Sequence, residues 1–203
     1  AAITILNKVD DVLGIGKWVG KTLDSSEYGK KIQIATSELS NVSKLDNVKV
    51  VDGKYYSIVK RSGKDVIIEV SKAEVKKIDE YLGVVGKGSY KELAKEFAGI
   101  SSKFDVQTHH IFEKRMGKLD WFNDFTDATG KKIDDVPGVL LTKDEHLKVT
   151  NAIYKYIPVG QTVRNFYNGT KGKNDLKNVY EKVYTEIGKQ EYFDELVRVG
   201  LFN

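Results

Sequence analysis

The stretch Val139-Leu140-Leu141-Thr142-Lys143-Asp144-Glu145-His146 decides how the second half of the chain is read. Its apolar run is of strand length, and the preceding Pro137-Gly138 marks a break before it. Thr142 and Glu145 then make the Thr-x-x-Glu pattern of a capping box, in which hydroxyl and carboxylate satisfy orphan backbone amides at a helix start. His146, Val149, Ile153 and Ile157 follow at spacings of three and four, so they share one helix face, and Pro158 stops the helix. A histidine therefore rides on the first turn of the best-marked helix in the chain.

Upstream, residues 106–112 are β-branched and aromatic enough for a strand, and they carry His109-His110, two of the 3 histidines in the chain. The order is a strand with His-His, a connection, a short strand, then a helix bearing His. Such an order suits a metal-dependent hydrolytic site. One imidazole of the pair and the helix imidazole hold a divalent cation, and the remaining imidazole takes a proton from an attacking water. Histidine fits the second task because its ordinary pKa of about 6.5 lies near working pH. Neighbouring residues in a regular strand point to opposite faces. The pair can divide these duties only at a strand end, where the backbone turns.

Thr108-His109-His110-Ile111-Phe112-Glu113-Lys114-Arg115, followed by Leu141 to His146 and by Thr150-Asn151, resembles the His-His branch of the HNH/endonuclease VII superfamily. The resemblance spans residues 103–165, about a third of the chain. That branch is common as the C-terminal toxin domain of contact-dependent, Rhs-type and LXG-type bacterial effectors. It implies that His109 is a metal ligand, His110 the general base and His146 the helix ligand. One departure stands out: Thr150, not a second histidine, lies four residues after His146, with Asn151 next as a substitute ligand. Water or phosphate oxygens then complete the shell, which favours magnesium or manganese over zinc. The asparagine that orients the base in the wider superfamily has Asn123 as its nearest counterpart. The resemblance also implies a nucleic-acid substrate, DNA ahead of RNA, and a cognate immunity protein. It points to a secreted effector fragment acting in the cytoplasm of a target bacterium.

The surrounding residues carry competing readings. An isolated His-His pair is more often structural than catalytic; the capped-helix histidine and the Glu113-Lys114-Arg115 run tip it towards a site. Strand parity groups Glu113 with His109 and Arg115, and Lys114 with His110. Lys114 and Arg115 could hold a phosphate, and each serves equally well as a solvated charge or a structural ion-pair partner. Trp121, Phe122 and Phe125 read as helical core rather than as stacking surfaces for bases. Asn168-Gly169-Thr170-Lys171-Gly172-Lys173 is basic and glycine-rich but lacks the complete Walker pattern, so it reads as a plain loop.

Towards the N-terminus, residues 48–51, 55–59 and 66–70 alternate with period two and are separated by Asp52-Gly53 and Ser62-Gly63-Lys64-Asp65, a three-stranded meander. Helices are expected over residues 72–82 and 89–97, the second opened by a Ser89/Glu92 capping box. Gly99-Ile100-Ser101-Ser102 reads as a linker. Residues 3–24 read as a helix bent at the glycine-punctuated stretch 14–20, where each glycine weakens a helix by roughly 1 kcal/mol. Residues 161–166, 174–187 and 191–199 read as amphipathic helices.

The chain has 203 residues, a formal charge of +4, 40% hydrophobic and 31% charged residues. That length allows two small domains, and the mild positive charge suits a nucleic-acid partner without demanding one. The absence of cysteine excludes disulfides, thiolate catalysis and cysteine-based zinc sites. No apolar run is long enough to span a bilayer, so no stable membrane anchor is expected. The first residues lack a signal peptide's basic start, and the missing initiator methionine suggests a fragment of a longer polypeptide.

The expected fold class is α+β in two modules. Residues 1–100 form N-terminal helices with a small antiparallel meander, serving delivery or translocation. Residues 101–203 form a ββα-metal nuclease core wrapped by C-terminal helices. The expected activity is phosphodiester hydrolysis with a divalent metal (Mg, Mn or Zn). One rival is a metal-independent ribonuclease with a histidine acid/base pair and Lys114 stabilising the phosphorane. The other is a non-enzymatic binding module whose histidines pack structurally.

Overall fold

A computed structural model describes residues 43–51, 53–160 and 162–202. The bent helix expected over residues 3–24 lies outside them. The described chain is α+β, with eight α-helices and two small antiparallel sheets. In order, the first elements are β1 (Val48–Val51), β2 (Lys54–Arg61), β3 (Lys64–Val70), α1 (Lys72–Tyr81), α2 (Tyr90–Phe97) and α3 (Ser101–Phe104). There follow β4 (Val106–His110), α4 (Asp120–Thr129), β5 (Gly138–Thr142) and α5 (Lys143–Tyr156). The last three are α6 (Val163–Tyr167), α7 (Gly169–Glu186) and α8 (Gln190–Arg198). Among the described residues no helix is long and apolar enough to cross a membrane.

The described residues form two compact units, residues 43–82 with 98–106, and residues 83–97 with 107–202. In the first, β1, β2 and β3 pair antiparallel in that order, as the alternation predicts. Arg61 pairs with Lys64 across Ser62-Gly63, both at positive φ (48° and 77°), the backbone that a type I′ hairpin turn requires. Val66, Ile68 and Val70 alternate into the core from β3. α1 starts at a Ser71/Glu74 capping box that the sequence reading did not single out. The segment 98–106 returns to this unit: Asn47 Nδ2 donates to Phe104 O at 3.3 Å, Lys103 pairs with Glu74 at 2.7 Å, and Arg61 pairs with Asp105 at 2.7 Å.

The expected boundary between residues 100 and 101 is therefore corrected. Gly99-Ile100-Ser101-Ser102 is not a linker but leads into α3, whose Phe104 is buried. Residues 83–97, assigned by sequence to the N-terminal module, belong to the second unit because their backbone is tied to the β5 segment. Gly83 N donates to Leu140 O at 2.8 Å, Tyr90 N to Val136 O at 2.9 Å, and Gly138 N to Gly88 O at 3.2 Å. α2 opens at the expected Ser89/Glu92 box and buries Leu93 and Phe97. A fragment starting at residue 101 would lack this helix.

In the second unit β4 pairs with β5 and stops at His110, two residues short of the expected end. The next backbone groups are claimed by buried tyrosines of α7. Tyr184 Oη donates to Ile111 O, and Glu113 N donates to Tyr180 Oη at 3.1 Å. These bonds replace a strand partner and turn the chain directly after the histidine pair. α5 begins at the Thr142/Glu145 box and buries Val149 and Ile153, with Ile157 buried at its C-cap. Trp121, Phe122 and Phe125 pack in the core with Phe112, and Trp121 Nε1 donates to Tyr167 O at 2.8 Å. The expected loop at 168–173 is corrected: α7 starts at Gly169, and Lys173 lies over the Trp121 ring, 5.5 Å from its centroid.

Candidate functional site

β4 sends its last two side chains to opposite sides. His109 is only 7% exposed. Its ring meets that of His146, from the first turn of α5, edge to face, with centroids 4.7 Å apart and planes at 86°. The two imidazoles expected to share a cation are thus together. Nε2 of His109 is buried without a hydrogen-bond partner. Leaving such an atom unpaired costs on the order of 1–3 kcal/mol, so it calls for a ligand. Burial, followed by the neighbouring His146 and His110, brings the His109 pKa down to about 3. Burial also lowers that of His146. Both rings are held in the neutral form that a metal ligand needs. Among the described residues no group of three or more His, Cys, Asp or Glu is placed to hold a metal ion. A cation held here would have two imidazole nitrogens as its protein donors.

His110 lies in a different environment. Its Nε2 is 3.0 Å from Asp134 Oδ1, and its ring stacks on Tyr90 with centroids 3.5 Å apart and planes within 14°. A carboxylate facing Nε2 favours the tautomer that carries its hydrogen there. Burial pushes the His110 pKa down, Asp134 pushes it back up, and the Lys114 ammonium lowers it further. Asp134 stands in a 3₁₀ turn, Ile133–Asp135, and Tyr90 opens α2.

Lys114, expected as a phosphate binder or a solvated charge, stands at the surface near Asp134. Its side chain is 71% exposed, and its ammonium lies 3.9 Å from Asp134. Strand parity does not govern it, because Lys114–Lys118 is a 3₁₀ helix. Arg115, expected as a phosphate binder or a structural ion-pair partner, is engaged structurally. It pairs with Glu113 at 3.1 Å, donates to Ile157 O and Pro158 O at the end of α5, and covers the Tyr154 ring. Burial raises the Glu113 pKa and Arg115 opposes that rise.

Asn151 as a metal ligand is likewise corrected. It is exposed, and five residues of helix put it about 140° round the axis from His146. Thr150, four residues on, shares the His146 face instead. Asn123 is exposed on α4, and the side chain that meets His110 is Asp134. Neither Asp134 nor Tyr90 was singled out from sequence. Asp134 lies in a run of charged residues and Tyr90 behind a helix cap, and neither pattern marks a partner for a distant histidine.

The buried, neutral His109 makes stability depend on pH. Its folded pKa lies below the ordinary 6.5, so the stability it contributes is complete above pH 6.5 and is lost as pH falls towards 3. In metal-free protein the slope from this group should approach 1.4 kcal/mol per pH unit, roughly the cost of one pKa unit. Denaturant unfolding of wild type and His109→Gln between those limits should show a shallower acid decline in the variant. Parallel declines would mean that His109 takes up its proton without unfolding.

No protein-family model, no curated protein and no solved structure matches the chain.

Proposed function

We propose that the second unit is a metal-dependent nuclease of the HNH/endonuclease VII kind, with β4, β5 and α5 as a ββα-metal core. The observations that carry this reading are the edge-to-face meeting of His109 and His146 and the buried, unpartnered Nε2 of His109, with His110 engaged elsewhere. His109 and His146 would hold the cation. With Asn151 set aside, the expected preference for magnesium changes: two imidazoles with oxygen donors from water and phosphate suit manganese or zinc better than magnesium, which seeks an all-oxygen shell. When bound, the cation supplies Lewis-acid stabilisation of charge on the phosphate and the leaving oxygen. His110 accepts the proton of the attacking water at Nδ1 while Asp134 holds Nε2–H. Lys114 attracts the phosphate from its exposed position.

A metal-free acid/base mechanism needs one imidazolium at neutral pH, and the pKa values of all three histidines are lowered. A purely structural role leaves the unpaired Nε2 of His109 without a purpose. Nucleic acid is the substrate on this reading, with DNA first. The family resemblance adds a toxin role and an immunity protein as partner.

Digestion of plasmid DNA and total RNA, with manganese, magnesium, zinc or EDTA, tests the reading. Plasmid nicking with manganese that EDTA abolishes is expected. RNA cleavage that survives EDTA and leaves 2′,3′-cyclic phosphate ends would replace the metal mechanism with the acid/base one. Folded protein inert on both substrates under every condition would make this a binding module.

A further inference from the structure

We propose that Tyr90 and Asp134 are positioning residues that clamp the His110 imidazole in one plane and one tautomer, Nε2–H towards Asp134 with the lone pair on Nδ1. The proposal deepens the reading of His110 as proton acceptor and rests on it. A free neutral imidazole exchanges between two tautomers and turns about its terminal torsion, which is broad for histidine. Asp134 acts on the first freedom, since a carboxylate 3.0 Å from Nε2 stabilises only the tautomer that donates to it. Tyr90 acts on the second, because a ring parallel to the imidazole at 3.5 Å leaves no room for it to swing out of plane.

The two jaws belong to one construction. Tyr90 N donates to Val136 O, two residues beyond Asp134, and Ser89 bridges to Pro137. Asp135 fixes the turn that carries Asp134, its carboxylate accepting from Lys132 N at 3.0 Å. Gly138 permits the approach, since a Cβ there would stand 2.8 Å from Tyr90 Cα. The proton acceptor on β4 is thus oriented by α2 and by the turn ahead of β5, and neither jaw takes part in holding the cation.

Long-range proton–nitrogen spectra of the full chain with ¹⁵N-labelled histidine, recorded metal-free at a pH where the imidazoles are neutral, read the tautomer without turnover. Wild type and Tyr90→Phe should show His110 as the single Nε2–H form. Asp134→Ala and Tyr90→Ala should show mixed tautomers. In manganese-supported cleavage these two should lose kcat by about 10–100-fold, the usual weight of an orienting partner, with KM within about twofold of wild type. Tyr90→Phe should retain wild-type kcat. An Nδ1–H form in wild type, or an unchanged single tautomer in Asp134→Ala, overturns the clamp. Asp134 is 42% exposed, so its truncation is compatible with folding and decides the question even if Tyr90→Ala does not fold. The expected tautomers in a protein with no nuclease activity would support the clamp and overturn the proposed function instead.

Discussion

Replacing His110 with alanine is expected to lower turnover by about 10²–10⁴-fold, the usual contribution of a positioned general base, with folding and metal affinity nearly intact. The expectation follows from its surroundings: its Nε2 is engaged by Asp134 and its face by Tyr90, while the ring that meets His146 is that of His109. His109→Ala should behave differently. On the proposed function it removes a nitrogen from the cation site, so metal affinity should fall and excess manganese should partly restore turnover. His146→Ala should follow His109→Ala for the same reason. Titrating manganese against the three variants in a plasmid-nicking assay separates the roles. Rescue of His110→Ala but not His109→Ala would reverse the two assignments. Wild-type rates in both would make the pair structural.

The second large effect concerns stability. Gly172→Ala should lower the thermal midpoint by on the order of 10 °C, from about 3 kcal/mol of overpacking at roughly 2–4 °C per kcal/mol for a chain of this size. A Cβ at this position would stand 2.3 Å from the Tyr167 carbonyl carbon and 2.6 Å from its Cα. Backbone cannot rotate aside as a side chain does, so α6 and α7 must separate. The strain reaches far, because Tyr167 O accepts from Trp121 in the core, and α7 carries Tyr180 and Tyr184, which turn the chain after His110. Gly169→Ala is the control. It meets nothing within 4 Å, but it stands at φ +70° and should cost only the left-handed backbone penalty of about 1–2 kcal/mol. Differential scanning calorimetry of both variants compares them, and equal shifts would mean that the close approach is not rigid.

Much of the secondary structure was legible in the sequence because its signals are local. The period of two in β2 and β3, the turn at Ser62-Gly63 and the Thr142/Glu145 box each lie within a few residues. The strands and the box formed as expected, while the turn closed on two residues instead of four, with Lys64 and Asp65 in β3. The histidines themselves were visible, since a rare residue type stood at a strand end and on a capped helix. Local signals misled at 99–102 and 168–173. Glycine marks a break in isolation, but at 172 it serves a close helix contact that only the folded chain reveals.

The remainder was decided by tertiary structure, and the reason is separation along the chain. Asp134 reaches His110 across 24 residues, and Tyr180 and Tyr184 reach the backbone beyond it across 67 and 73. Arg115 became structural because carbonyls 42 and 43 residues away, at the end of α5, needed a donor. No spacing rule encodes such meetings, since side-chain periodicity says which face a residue occupies and not what is packed against it. Local patterning alone specified the strands, two of the helix caps and the places of the three histidines. Packing determined that one of them is buried against another, and that the third is held by a carboxylate and a tyrosine from other parts of the fold.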